Sequence, residues 1–286
     1  MMRQRTLAAG LLSPAFAIFA VLMAGPLAIL IDESLKPFVS GRIGGDDAGG
    51  LTLSHYGELM DPAYALYFAD TFRLGLIVTL VGVLLGYPVA YLIARQAGPR
   101  LRSALIAGLI GMLFLSLIVR VYAIMMTFGP IGPLSGIGGL VGIEINSRAG
   151  TEMMVVLGLL HTVFPLVALT LVGTVQNLNP RLEDAALSLG APRWRAFLAV
   201  TLPLSVPGML SAGILGYAFC ISNFVVPLIL GKGFVLFVSN LIYFRFSEVN
   251  NYPSGAAISV IMILISMILF YGLMRLVRTR WQETGR

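Results

Sequence analysis

The chain has 286 residues, 58% of them hydrophobic and only 11% charged, with a mean hydropathy of +0.91. An average globular domain is about 25% charged, so an ordinary soluble domain is excluded. Two histidines and the single Cys220 exclude a Cys/His metal cluster and an intramolecular disulfide framework, and the net charge of +6 is strung between apolar blocks rather than gathered into a nucleic-acid-binding patch.

A helix needs roughly 20 mostly apolar residues to cross a hydrocarbon core about 30 Å thick. The first such stretch covers residues 7–31, behind Arg3 and Arg5. It is longer than a signal-peptide core and lacks a clear small-x-small cleavage site, which predicts a retained helix. Residues 32–70 are polar and acidic, with a glycine-rich tip at 44–50. A charge-free second span is predicted over 74–94 and a third over 104–120, closing on Arg120. Residues 129–142 hold six glycines and two prolines and predict a loop. The run Gly136-Ile137-Gly138-Gly139 within it lacks the strand, helix and spacing of a nucleotide-binding loop. The fourth span, 153–175, contains only His161 as a titratable group. The fifth, 204–231, is charge-free, with Pro207 and Pro227 as expected breaks. Residues 234–243 are apolar but too short to cross, and read as interfacial or re-entrant. The sixth span, 255–274, ends in a basic tail.

Lysine and arginine beside the spans set the orientation. With the N-terminus inside, twelve of the nineteen basic residues but only three of the thirteen acidic ones fall on the inner side. The asymmetry predicts an all-α, six-helix membrane domain over residues 1–286 with both termini in the cytoplasm.

The inner loop over 176–203 is long and patterned. Asn179-Pro180 reads as a helix start, because Asn caps free N–H groups and Pro lacks a donor where none is needed. Glu183 and Asp184 follow where the helix dipole favours negative charge. Leu182, Ala185, Ala186 and Leu189 form one apolar stripe, and Gly190 stops the helix before Pro192. A second amphipathic turn over 194–200 leads into Leu202-Pro203. The pattern admits two readings: a helix lying on the lipid surface, or one docking into a soluble partner, with the small alanines allowing close approach.

Asp184-Ala185-Ala186-Leu187-Ser188-Leu189-Gly190, then nine residues, then Val200-Thr201-Leu202-Pro203, resembles the EAA loop of ABC importer permeases. Asp stands for the motif's Glu and Val for its Ile. Leu85-Gly86-Tyr87-Pro88-Val89-Ala90-Tyr91-Leu92-Ile93-Ala94-Arg95 resembles the second-span signature of the spermidine/putrescine-type permeases. Ser222-Asn223-Phe224-Val225-Val226-Pro227-Leu228-Ile229-Leu230-Gly231 resembles their fifth span, and the likeness covers roughly residues 50–278.

The resemblance implies a type I importer transmembrane domain in a bacterial cytoplasmic (inner) membrane, paired with a second permease subunit. A cytoplasmic ATPase dimer, binding ATP and Mg, would dock on the EAA helix, and a periplasmic binding protein would deliver a small polar solute, polyamine-like first among them. ATP chemistry would then belong to the partner, this chain being no enzyme and holding no cofactor. The coupling residues carried over are Asp184, Ala185, Ala186 and Gly190, with Glu183 and Pro203 beside them.

Polar groups at membrane depth are costly and nominate a substrate path. Arg120 either caps carbonyls at its helix end or lines the path, paired with an outer acid such as Glu144 or Glu152. Asn223 sits mid-span, next to Phe224 and before Pro227, where polyamine-type relatives often carry an acid. Tyr122, Met125 and Met126 are further candidates. His161 reads as a hydrogen-bonded interior histidine, Cys220 as a packing residue, and Gly82 with Gly86 as a site of close helix contact. An ion-coupled secondary transporter is the alternative, but it calls for buried acids that the six spans lack. A membrane-embedded enzyme calls for a nucleophile with a base or a metal, and His161 with Cys220 is too thin a set.

Overall fold

The computed structural model describes residues 2–47, 49–135, 144 and 146–284, with the backbone alone at 2–12, 15, 16 and 276–284. The Gly136–Gly139 run and the side chains of the terminal arginines lie outside the described residues. Among the described residues every element is helical. In chain order they are α1 (Met2–Ser34), α2 (Ser54–Glu58), α3 (Pro62–Tyr91), a π turn (Leu92–Gln96), α4 (Pro99–Phe114), α5 (Leu117–Phe128), α6 (Arg148–Asn177), α7 (Arg181–Ser188) and α8 (Arg193–Ala196). A second π turn (Phe197–Thr201), α9 (Leu202–Ser222), α10 (Val225–Leu230), α11 (Val238–Ser247) and α12 (Tyr252–Thr284) complete the chain. Five of the stretches are long and apolar enough to cross a membrane, and α4 with α5 would make a sixth, bent by 96°.

Contacts divide the chain into two units. The first comprises Met1–Ala65 with Leu241–Gly272. Its polar segment after α1 is held by local bonds. Lys36 pairs with Asp32 at 2.8 Å and Asp47 at 2.7 Å. The hydrogen bonds that the Lys36 ammonium donates to Asp32 and Asp47 hold it above its usual pKa, and Lys36 holds the Asp47 carboxyl below its own. Glu33 accepts from the Gly45 backbone at 2.6 Å, and the Ser34 and Tyr56 hydroxyls meet at 2.7 Å. Arg245 donates to the Tyr64 hydroxyl and lies over its ring.

The second unit comprises Leu66–Asn240 with Leu273–Arg286. Its central helix is α6, against which α4, α5, α9 and α10 all pack. Val155, Leu159, Val163, Val167 and Leu171 of α6 are fully buried. Small residues allow the approaches that drive helix association in a bilayer. A β-carbon on Gly86 would stand 3.4 Å from Leu171, and one on Gly158 only 2.6 Å from Leu230. The hydroxyls of Thr162, Thr170 and Thr174 in α6 bond back to carbonyls four residues earlier, so these three hydroxyls are satisfied within the helix.

The spans depart from the sequence expectation in three places. The second starts at Pro62 rather than at 74, taking in Asp70 and Arg73, whose charges are paired with each other and with Arg148 and Glu152. The third, expected as one helix over 104–120, is the bent pair α4–α5, with Leu115 and Ser116 extended. The fifth breaks at Asn223 and Phe224, neither at Pro207, which α9 carries within its first turns, nor at Pro227, which sits in the first turn of α10 where its missing donor costs little.

Candidate functional site

The patterned loop starts and stops where its sequence predicts, but the expected stripe of Leu182, Ala185, Ala186 and Leu189 splits, Ala186 turning inward. Asn179 Oδ1 accepts from the Arg181 backbone N–H at 3.1 Å, and Glu183 and Asp184 fall in the first turn of α7. Gly190 adopts φ +87°, in the left-handed region that glycine alone enters without cost. The Gly190 N–H donates to the Leu187 carbonyl at 3.0 Å and the Ala191 N–H to that of Ala186 at 3.2 Å, closing the helix end. Leu182, Asp184, Ala185, Ser188 and Leu189 face outward, Leu189 being 89% exposed, and Pro203 is exposed as well. Glu183, Ala186 and Leu187 are half-buried. The two alanines therefore divide: Ala185 is offered outward, whereas Ala186 packs toward the protein.

Behind α7 lies a hydrogen-bonded core. The Glu183 carboxylate accepts from the Tyr91 hydroxyl at 2.6 Å and from the Thr201 hydroxyl at 2.7 Å. The Phe197 ring stands edge-on to Tyr91 at 4.8 Å, and the Tyr87 hydroxyl donates to Ser205 at 2.8 Å. Arg95 donates to the Leu178 carbonyl at 2.8 Å, anchoring the entry to the loop. A cavity of about 1120 Å³ opens beside α7, lined by Tyr91, Arg95, Glu183, Asp184, Arg193 and Trp194 among others.

At the break in the fifth span, Asn223 is buried and its Oδ1 accepts from the Val226 N–H at 3.0 Å, capping α10. The carbonyls at the break accept from α11: Ser239 donates to the Asn223 carbonyl at 3.0 Å and Asn240 to that of Phe224 at 2.7 Å, which also takes the Leu228 N–H. Of the apolar stretch 234–243, residues up to Asn240 thus fold back onto this break, with Phe237 and Val238 fully buried. Their apolar character reflects packing, as does that of Cys220, which is fully buried.

Arg120 is buried at the elbow between α4 and α5 and donates to the Leu115 carbonyl at 2.8 Å. It caps a helix end and does not pair with Glu152, which instead accepts from Arg73 at 2.6 Å and Arg148 at 3.3 Å. Glu144 also forms no ion pair with it among the described residues. His161 departs from expectation, since its Nδ1 is buried without a hydrogen-bond partner among the described residues. Tyr122 and Phe224 are partly exposed. Because α5 packs against α10, Arg120, Tyr122 and the break at Asn223 lie on neighbouring elements. No group of three His, Cys, Asp or Glu is placed to hold a metal among the described residues.

Two features were not anticipated from sequence. One is the ion-pair network at the N-terminal ends of α3 and α6, where Arg148 Nη2 reaches both Asp70 oxygens at 2.9 and 2.8 Å. Its partners are 78 residues apart, and only the charges inside an otherwise apolar region hinted at it. The other is the pair of π turns flanking Glu183; wide turns of this kind often mark functional positions.

The comparisons with known proteins agree with this geometry. Residues 86–283 match the family described as binding-protein-dependent transport system inner membrane component. The chain is 29% identical over 225 residues to the spermidine/putrescine transport system permease protein PotB of Haemophilus influenzae, covering 77% of this chain and 78% of that one. It is 28% identical over 232 residues to PotB of Escherichia coli K12, covering 80% and 82%. Among solved structures, it resembles a chain of a bacterial ABC transporter involved in the import of the acidic polysaccharide alginate, at TM-score 0.75 and 15% identity over 97% of both chains. It also resembles a chain of the MetNI methionine ABC transporter in an inward-facing conformation, at TM-score 0.60 and 16% identity, over 78% of this chain and 97% of that one. Match, relatives and fold leave no place for an ion-coupled carrier: the chain belongs to the family of binding-protein-dependent transport system inner membrane components, as a multi-pass permease subunit of a bacterial ABC importer.

Proposed function

We propose that this permease forms, with a second permease subunit, the path of a small polar solute of polyamine type, and that α7 couples it to a cytoplasmic ATPase dimer. The observation that carries the coupling reading is the outward stripe of Leu182, Ala185 and Leu189, ended by a left-handed Gly190. An apolar stripe on so short a helix is stabilised by covering it. Asp184, Ala185 and Gly190 make the contact; Glu183, Ala186 and Pro203 shape the loop behind it. ATP and Mg bind to the partner, a periplasmic binding protein delivers the solute, and both termini lie in the cytoplasm. The polyamine reading is supported by the spermidine/putrescine permeases to which the chain is similar over most of its length.

Uptake of putrescine into proteoliposomes holding the complex purified with its own ATPase and binding protein tests the cargo. ATP-dependent putrescine uptake supports the reading, and uptake of an anion such as molybdate with none of putrescine overturns it. Asn223 sharpens the test. Asn223→Leu removes the cap of α10, at a cost of about 1 kcal/mol, and is expected to reduce uptake with ATPase association unchanged. Asn223→Asp keeps the acceptor and adds a charge suited to an amine, so it is expected to retain uptake. Equal uptake by wild type and Asn223→Leu would remove Asn223 from the path.

A further inference from the structure

Both oxygens of the Glu183 carboxylate are occupied from within the chain. One accepts from Tyr91, the last residue of α3, and the other from Thr201, which immediately precedes α9. Hydroxyl-to-carboxylate bonds of 2.6 and 2.7 Å are charge-assisted and among the stronger contacts a protein makes. Glu183 therefore differs from its neighbour Asp184, which is exposed and free to meet another molecule.

The backbone on either side of these bonds is unusual. Tyr91 is followed by the π turn Leu92–Gln96, closed by the Ala97 N–H on the Leu92 carbonyl at 2.8 Å. Thr201 ends the π turn Phe197–Thr201. The ring of Phe197, from the second turn, packs on Tyr91 beside the first. A π turn carries one residue more per turn than the surrounding helix, so it is where a helix shifts register or rotates at least cost. A rigid two-pronged bond thus joins α7 to two long helices beside the compliant turn of each. One of those helices, α9, ends 21 residues on, at the Asn223 break.

We infer that Glu183 is a positioning residue that converts movement of α7 into movement of α3 and α9, through Tyr91 and Thr201, rather than a contact to the ATPase. The inference rests on the coupling role proposed for α7. It assigns roles to two hydroxyls that the EAA resemblance does not mark as coupling residues, and it separates two adjacent acids by function: Asp184 meets the partner, and Glu183 carries the motion inward.

The test uses the complex purified with its ATPase, carrying an environment-sensitive label at Leu215→Cys, an exposed site on α9. Trapping the ATPase with ATP and vanadate reports movement of α9 without knowledge of the cargo. In wild type, trapping is expected to shift the label signal. Glu183→Ala, and the pair Tyr91→Phe with Thr201→Val, are each expected to shrink that shift about fivefold or more, as loss of two part-buried, charge-assisted bonds implies. The amount of co-purified ATPase and the extent of trapping should stay unchanged. Glu183→Gln should rescue the shift, because an amide still accepts from one hydroxyl and donates to the other. Adding the hydroxyl deletions to Glu183→Ala should change nothing further, since both routes end on one carboxylate.

An undiminished shift in the hydroxyl-deletion pair overturns the inference while leaving the coupling role of α7 intact. Loss of co-purified ATPase in Glu183→Ala also overturns it, making Glu183 a docking contact. A wild-type chain that brings no ATPase, or one whose label is unmoved by trapping, overturns the coupling reading and this inference together.

Discussion

Gly190→Asp is expected to abolish transport while leaving the chain inserted in the membrane. At φ +87° a side chain is strained, but aspartate is among the residues that tolerate this region, so strain alone costs only about 1 kcal/mol. The larger effect comes from where the side chain goes. A β-carbon on Gly190 meets nothing within 4 Å, so it projects into the space a partner must fill. An unpaired carboxylate trapped in a docked interface costs about 3 kcal/mol or more, which lowers the coupled fraction about a hundredfold. Gly190→Asn separates the causes: it accepts the backbone geometry without the charge, and should retain much more uptake than aspartate. Uptake per unit of membrane-inserted chain is the quantity to compare. Normal uptake by Gly190→Asp would remove the end of α7 from any contact.

Arg148→Leu is expected to have the largest effect on stability. The Asp70 side chain is only 6% exposed, and Arg148 meets both its oxygens while Arg73 approaches one at 3.4 Å. Removing Arg148 leaves the buried Asp70 carboxylate with only the 3.4 Å contact to Arg73, and an under-satisfied buried acceptor costs about 2 kcal/mol. Arg73 makes only the single 3.4 Å contact to Asp70, so Arg73→Leu leaves the two-oxygen pair intact and should cost less than about 1 kcal/mol. Deleting both ends of the pair, Asp70→Leu with Arg148→Leu, should recover part of the loss, since no charge is then left buried. Thermal unfolding of the detergent-purified complex gives the order. If Arg73→Leu proved the more damaging single change, the bidentate bond would not be the mainstay of the network.

The sequence was most legible where a local rule acts alone. The start at Asn179, the acidic first turn and the stop at Gly190 follow from capping chemistry within a dozen residues, and α7 occupies the expected place. Hydropathy found the spans but not their breaks. The elbow at Leu115 and Ser116 contains no proline, and its carbonyl is satisfied by Arg120, five residues on, a bond with no signature in periodicity. The break at Asn223 is stabilised by Ser239 and Asn240, which a reading of the fifth span by itself does not contain. Charge was misread in the same way. Asp70 and Arg73 looked like residues outside the second span because their partners, Arg148 and Glu152, come from another helix. The surroundings of Glu183 and Asp184 were likewise indistinguishable from their order in the motif. The structure separates them by burial and by the bonds that Glu183 accepts from Tyr91 and Thr201.

A photo-crosslinking amino acid at Ala185, on the exposed face of α7, tests the central claim most directly. The chain stays in its native membrane, and the adduct is identified by mass spectrometry. The expected result is a crosslink to an ATP-binding subunit, weakened by Gly190→Asp. A crosslink to lipid alone would contradict it, returning α7 to a helix that lies on the membrane surface.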